Sequence, residues 1–236
     1  MIASPLGARR RETKAARAQR GETVRLAQAE QMVRFLSGRA FGDRAQCSYV
    51  DLGDSARMGL LLCPEARGGF EDQAGEVLGL LAASLEGQPQ PLEVTLLTVF
   101  LREPGDQQAA ERLLAEYFGA RMPVTNYVFQ PPCNGAAVAM EAWAVGGPGV
   151  KIEHFGPRVL TVSYDRVRWV YCAGIEVPAS ESGVYAQTAS GLQALQEALR
   201  QAGSGLEDVV RTWYYLGGIN EVEGELERYK EFNRAR

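Results

Sequence analysis

Histidine is almost missing from this chain: His154 is the only one among 236 residues. A Ser–His or Cys–His nucleophilic pair therefore has a single candidate base, and no serine or cysteine is tied to it by a motif. Glu153 is a poor orienting partner if KIEH is a strand, because adjacent strand residues point to opposite faces. Cysteine is sparse too. Cys47, Cys63, Cys133 and Cys172 lie too far apart for the paired spacing of a structural zinc site, so neither metal nor cofactor is expected. Cys133 and Cys172 fall in or beside strand-like stretches and read as buried, inert thiols.

Long apolar runs are lacking as well, and the N-terminus has no apolar region of the secretory kind. The expectation is a cytoplasmic protein with no membrane partner. The first twenty residues contain no aromatic ring, yet Arg9, Arg10, Arg11, Lys14, Arg17 and Arg20 face only Glu12, a net of +5 in a chain of net −4. Without rings for base stacking, residues 1–20 read as a solvated, disordered arm, and the acidic remainder argues against a nucleic-acid partner.

What the chain does contain is a repeat. Residues 184–216 match residues 70–102 at a constant offset of 114, without a gap. Gln73 falls on Gln187, Leu78 on Leu192, Leu81 on Leu195, Leu85 on Leu199, Thr98 on Thr212 and Phe100 on Tyr214. In the later copy Leu192, Leu195 and Leu199 recur at helical spacing, and Gly203 stands where a left-handed cap would end the helix. Val209 to Leu216 is rich in β-branched and aromatic residues between glycines and reads as a strand. As a strand it would set Trp213 and Tyr215 on one face and Tyr214 on the other.

Around these units the first half reads as strands within Glu22–Phe35 and Gln46–Cys63, a helix over 70–85, a strand over 93–101, a helix over 106–118, and strands over 124–130 and 136–145. GGPG at 146–149 is the linker. The second half reads as a hairpin, Val159–Tyr164 and Arg168–Ala173, turning at Asp165 and Arg166, then the repeat helix and strand and a helix over 223–233. The domains expected are a tail at 1–20, a first half at 21–146 and a second at 147–236. By the offset, Arg236 corresponds to Met122, so the second half lacks counterparts of the last two strands. The strands are expected from further sequence, from a complementing chain, or from packing against another subunit.

VYCAGIEVP at Val170–Pro178, Gln187 with Thr188, AGSGLEDVVRTWYYL from Ala202, and EYFGARMPVTNYVFQPPCNGAAVAMEAWA from Glu116 resemble the Rid (YjgF/L-PSP) superfamily. TWYYLGGI and RYKEFNRAR are similar to its tandem-domain chorismatase-like branch, whose enzymes hydrolyse the enol ether of chorismate. The resemblance implies an α+β fold of two tandem Rid-like (chorismate-mutase-like) halves, each a mixed sheet covered by two helices, the second lacking its last strands. It implies assembly as a homo-oligomer and a small anionic metabolite as ligand. Gly174 matches the glycine whose backbone faces the ligand, Asn220 matches the loop asparagine, and Arg158, after Gly-Pro, is a candidate anion-binding group. The carboxylate-binding arginine is replaced by Thr125 in the first half, and Glu141 is the only acid near the position of the superfamily's late glutamate. The first half is therefore expected to be catalytically vacant, and no catalytic residue is assigned. Three functions stay open: an enol-ether hydrolase, a non-catalytic binding or scaffold subunit, and an imine or enamine deaminase.

Overall fold

The computed structural model describes residues 33–35, 42–178 and 180–236. The basic arm and most of the segment from Glu22 to Phe35 lie outside the described residues. In chain order the elements are β1 (Val33–Phe35), β2 (Ala45–Asp51), β3 (Ala56–Leu62), α1 (Phe70–Glu86), β4 (Glu93–Leu101), α2 (Gln107–Phe118), β5 (Val124–Val128) and β6 (Val138–Gly146). They continue as β7 (Lys151–His154), β8 (Val159–Tyr164), β9 (Val167–Cys172), α3 (Val184–Gln201), β10 (Val222–Glu223), β11 (Leu226–Glu227) and α4 (Arg228–Ala235).

The first half forms a six-stranded mixed sheet in the order β1-β2-β3-β6-β4-β5. β6 is inserted between β3 and β4, antiparallel to both, while β5 runs parallel to β4 after the crossover through α2. Period-two alternation decides the faces. Val138, Met140, Ala142 and Ala144 of β6 turn to the helices, where they meet Val77 and Leu81 of α1 and Leu114 of α2 in the main core. Gln73 ties helix to sheet: its buried side chain donates to the Gly68 carbonyl at 3.1 Å and accepts from the Ala137 amide at 2.8 Å, just ahead of β6.

The second half begins with a strand that the sequence reading does not contain, β7, and forms a three-stranded antiparallel sheet β7-β8-β9. The β8–β9 hairpin turns at Asp165 and Arg166, as expected, with φ of 48° and 62° at those residues. This sheet lies face to face on the larger one. Leu160 and Val162 of β8 pack with Val124 and Val145 of the first half, flanked by Trp169 and Tyr171 of β9. α3 and its C-cap cover the outer face through Ala198 and Ala202, against Val159, Val170 and Cys172. The layers are thus helices, six-stranded sheet, three-stranded sheet, helix.

Two expectations are corrected. Val209–Leu216 is not a strand: it follows a short 3-10 turn at Leu206–Asp208 as extended coil, with Trp213, Tyr214 and Tyr215 all substantially exposed. Its β-forming composition finds no ladder, because β9 pairs with β8 alone. The three rings consequently do not divide between strand faces. Tyr215 meets Phe100 edge-on at 6.2 Å, and Tyr214 meets Phe232 of α4 at 4.9 Å. The terminal helix starts only at Arg228, since Val222–Glu227 forms the β10–β11 hairpin around Gly224, whose φ is +68°.

Candidate functional site

α3 carries an apolar face at helical spacing, yet among its residues only Val184, Ala198 and Leu199 are buried. Gly191, Leu192 and Leu195, on the same side, face a groove of about 940 Å³. Its opposite wall is β9, its rim is the coil at Asp208–Leu216, and Leu96, Asn126 and Tyr127 of the first half contribute to its lining. Of the charged residues that line it, Arg168 and Arg211 are cationic and Asp208 is the single carboxylate. Arg211 stacks over the Trp213 ring at 4.4 Å, and the Asp208 carboxylate accepts from the Gly205 amide at 3.1 Å. The lining is apolar with an excess of positive charge, which favours anions.

Protonation along these walls is set by burial. Burial pushes the Tyr127 phenol up to about 12, with Glu111 adding to the effect, and pushes the Cys172 thiol up to about 11 against the opposing pull of Arg158. Tyr171 is also raised by burial, partly offset by Arg57, which donates to its hydroxyl at 2.6 Å. Arg57 spans the seam between the sheets, its guanidinium 5.1 Å from the Trp169 ring centre. None of these groups is a nucleophile at neutral pH. Cys172 is partly buried, whereas Cys133, expected to be buried, is exposed in the turn at 131–135.

The raised Cys172 pKa has a stability consequence. The folded state holds the neutral thiol, so its contribution is complete below the unfolded value near 9 and is lost as pH rises through about 11. We expect the melting temperature to fall between pH 9 and 11 and the Cys172→Ser variant to show a shallower fall there. Equal slopes would contradict the assignment. Maleimide labelling at pH 7 should modify Cys133 well before Cys172.

The ligand-binding residues expected from sequence are only partly brought together. Gly174 adopts φ +66°, and its amide donates to the Asn126 side-chain oxygen at 2.8 Å across the seam of the two halves. A Cβ there would stand 2.9 Å from the Thr125 carbonyl, so the close approach requires glycine. Arg158 is adjacent, since its carbonyl accepts from the Ala173 amide at 3.0 Å, and its guanidinium pairs with Glu176 at 3.0 Å. Neither Gly174 nor Arg158 lines the groove, Arg158 bordering a smaller cavity beside Ala194 and Glu197 of α3, and Asn220 stands apart in the exposed turn at 217–221. Thr125 is buried with its hydroxyl donated to the Pro123 carbonyl, and Glu141 accepts from the Trp143 indole at 3.0 Å. Glu153 is held by Lys151 at 2.8 Å and His154 is exposed, so no catalytic pair forms there. Sequence reasoning passed over Asn126, although it adjoins Thr125, where a substituted family position was already evident. It also passed over Arg168 and Arg211, which look like ordinary surface cations until the groove is formed.

Among the described residues, no cluster of three or more His, Cys, Asp or Glu side chains is placed to hold a metal ion. No described helix is long and apolar enough to cross a membrane.

Comparison with known proteins bears on the same region. Residues 141–236 match the family model described as chorismatase FkbO/Hyg5-like, N-terminal. No curated protein matches the chain. Solved structures similar to parts of it include RidA from the Antarctic bacterium Psychrobacter sp. PAMC 21119, 22% identical, TM-score 0.35, over 40% of this chain and 83% of that one. A yjgF-family protein from Streptococcus pyogenes M1 GAS is 12% identical, TM-score 0.37, over 49% of this chain and 98% of that one. Yeast Mmf1 is 16% identical, TM-score 0.36, over 46% and 89%. The chain has an α+β fold, and its residues 141–236 are similar to the N-terminal domain of FkbO/Hyg5-like chorismatases.

Proposed function

We propose that this chain is a Rid/chorismatase-like protein that binds a small anionic enol ether or enamine, and hydrolyses it once the second half is completed by further sequence or a partner chain. The observation that carries this reading is the coincidence of the family match at residues 141–236 with a cationic groove whose wall residue Asn126 accepts from the Gly174 amide, beside Arg158. A ligand carboxylate replaces the Asn126 amide at the Gly174 N–H, and Arg158 turns from Glu176 to the same anion. In hydrolysis of an enol ether the terminal carbon takes a proton, water adds to the resulting oxocarbenium carbon, and the hemiketal splits into a ketone and an alcohol. The proton donor comes from the completing segment. The expected assembly is a homo-oligomer or a complex with that segment, in the cytoplasm.

The occupied Gly174 amide and the neutral Thr125 favour a second reading, a non-catalytic binding or scaffold subunit. The third, an imine or enamine deaminase, differs in releasing ammonia. Titration with chorismate, followed by amide chemical shifts and by pyruvate formation, separates them. Shifts at Gly174 and Arg158, weakened at least about tenfold in Arg158→Ala, support the ligand site. Pyruvate release supports the hydrolase, binding without it the scaffold subunit, and ammonia from an enamine generated in place the deaminase. Absence of binding and turnover with both probes contradicts all three.

A further inference from the structure

We propose that Cys63 and Cys133 are a redox-responsive thiol pair, which a low-molecular-weight disulfide such as oxidised glutathione closes into a bond that clamps the 131–135 turn to the end of β3. The two cysteines lie 70 positions apart in the chain. Cys63 directly follows β3, and its amide donates to the Arg44 carbonyl at 2.8 Å. Cys133 lies in the turn that leads into β6, the strand beside β3. Hydrogen bonds shape that turn. The Gly135 amide donates to the Pro132 carbonyl at 3.0 Å, the Asn134 side-chain oxygen accepts from the Ala136 amide at 3.1 Å, and the Gly135 carbonyl accepts from Arg102 at 2.8 Å. One further bond fixes the turn against β3: the Asn134 side-chain amide donates to the Pro64 carbonyl at 3.0 Å. Asn134 and Pro64 are the chain neighbours of Cys133 and Cys63, so each cysteine is one residue from the same contact.

The electrostatics agree. Burial raises the Cys63 pKa and Cys133 raises it further, which requires the two thiols to be close enough to feel each other's charge. The adjoining charged groups are tied to one another, with Arg44 at 2.6 Å from Glu76 and 3.7 Å from Glu65. Access differs between the two cysteines, Cys133 being exposed and Cys63 half-buried, and this sets the order of events. Cys133 loses its proton to solvent and attacks one sulfur of the small disulfide. The small S–S bond breaks, one small thiol leaves, and a mixed disulfide remains on Cys133. Cys63 then gives up its proton, attacks the Cys133 sulfur and releases the second small thiol. Two protein thiols and one small disulfide thus become one protein disulfide and two small thiols.

The effect of the bond follows from what it joins. β3 and β6 pair from Ala56 opposite Gly146 to Leu62 opposite Met140, and the disulfide extends their connection beyond the last of these positions. It also closes a loop that contains α1, β4, α2 and β5, which removes freedom chiefly from the unfolded chain. Cys47 packs against the main core and Cys172 against the cluster under α3, so both serve as internal references.

The test incubates the 236-residue chain with oxidised glutathione at pH 8 and maps disulfides by mass spectrometry after tryptic digestion. A cross-link between peptides 58–67 and 122–151 is expected, with the melting temperature of the oxidised chain raised by at least about 5 °C. Cys63→Ser should stop at glutathione on Cys133, and Cys133→Ser should leave Cys63 free. Asn134→Ala, at an exposed position, should slow closure at least about fivefold while the first step on Cys133 keeps its rate. A stable glutathione adduct on Cys133 with Cys63 still open to alkylation overturns the proposal. So does a bond between the Cys133 residues of two chains, or closure at the parent rate in Asn134→Ala. None of these outcomes depends on chorismate binding, so the functional reading above is tested separately.

Discussion

Gly146→Ala should lower unfolding stability by about 3 kcal/mol or more, a large effect for one methyl group. Gly146 ends β6 opposite Ala56, and a Cβ there would run into the Pro91 carbonyl. The obstacle is backbone on both sides, so no side chain can swing away. Relief requires either Pro91–Leu92 or the end of β6 to move, and β6 is paired along both edges. Denaturant unfolding should show a lower midpoint at unchanged slope. A midpoint within experimental error of the parent would mean that the loop before β4 yields freely.

The second large effect is expected at the seam. Leu160→Ala should cost about 3 kcal/mol, because Leu160 is fully buried between the two sheets and the cavity left behind is walled by strands of both. Leu81→Ala, in the main core under α1, should cost a similar amount by the same mechanism. The two variants differ in where they loosen the molecule. Leu160→Ala should speed amide exchange in β7, β8 and β9 ahead of β4 and β6, whereas Leu81→Ala should speed exchange in the six-stranded sheet. Indistinguishable exchange patterns would show that the sheets open as a single unit.

The contrast between β4 and residues 209–216 marks what sequence could and could not convey. Both carry β-branched and aromatic residues, and both read as strands. β4 is one, because β5 and β6 pair with its two edges. The later copy has the same local preference and no ladder beside it, so it remains coil. Helix periodicity was more reliable, since α1, α2 and α3 each make their own hydrogen bonds. β7 escaped notice because KIEH is short, charged at alternate positions and only half-buried. In the same way, the β10–β11 hairpin took up what looked like the first turn of the terminal helix.

At the site, the glycine and the lost arginine position were visible from family resemblance, but the bond between Asn126 and Gly174 was not. It joins residues 48 positions apart across two sheets, and periodicity says nothing about such a contact. The pairing of Arg57 with Tyr171, 114 residues apart, is hidden for the same reason. Gln187 is legible as a repeat position, while its bond to the Glu181 carbonyl, the counterpart of the Gln73 bond to Gly68, is not.

Amide hydrogen exchange on the chain alone tests the central claim, that the first half is a closed ladder and the second an open one. The amides of residues 209–216 should exchange at least about a thousandfold faster than those of their counterparts 95–102, which lie in or directly follow β4. Equal protection in the two segments would mean that 209–216 is already paired in a sheet, and would contradict the open groove.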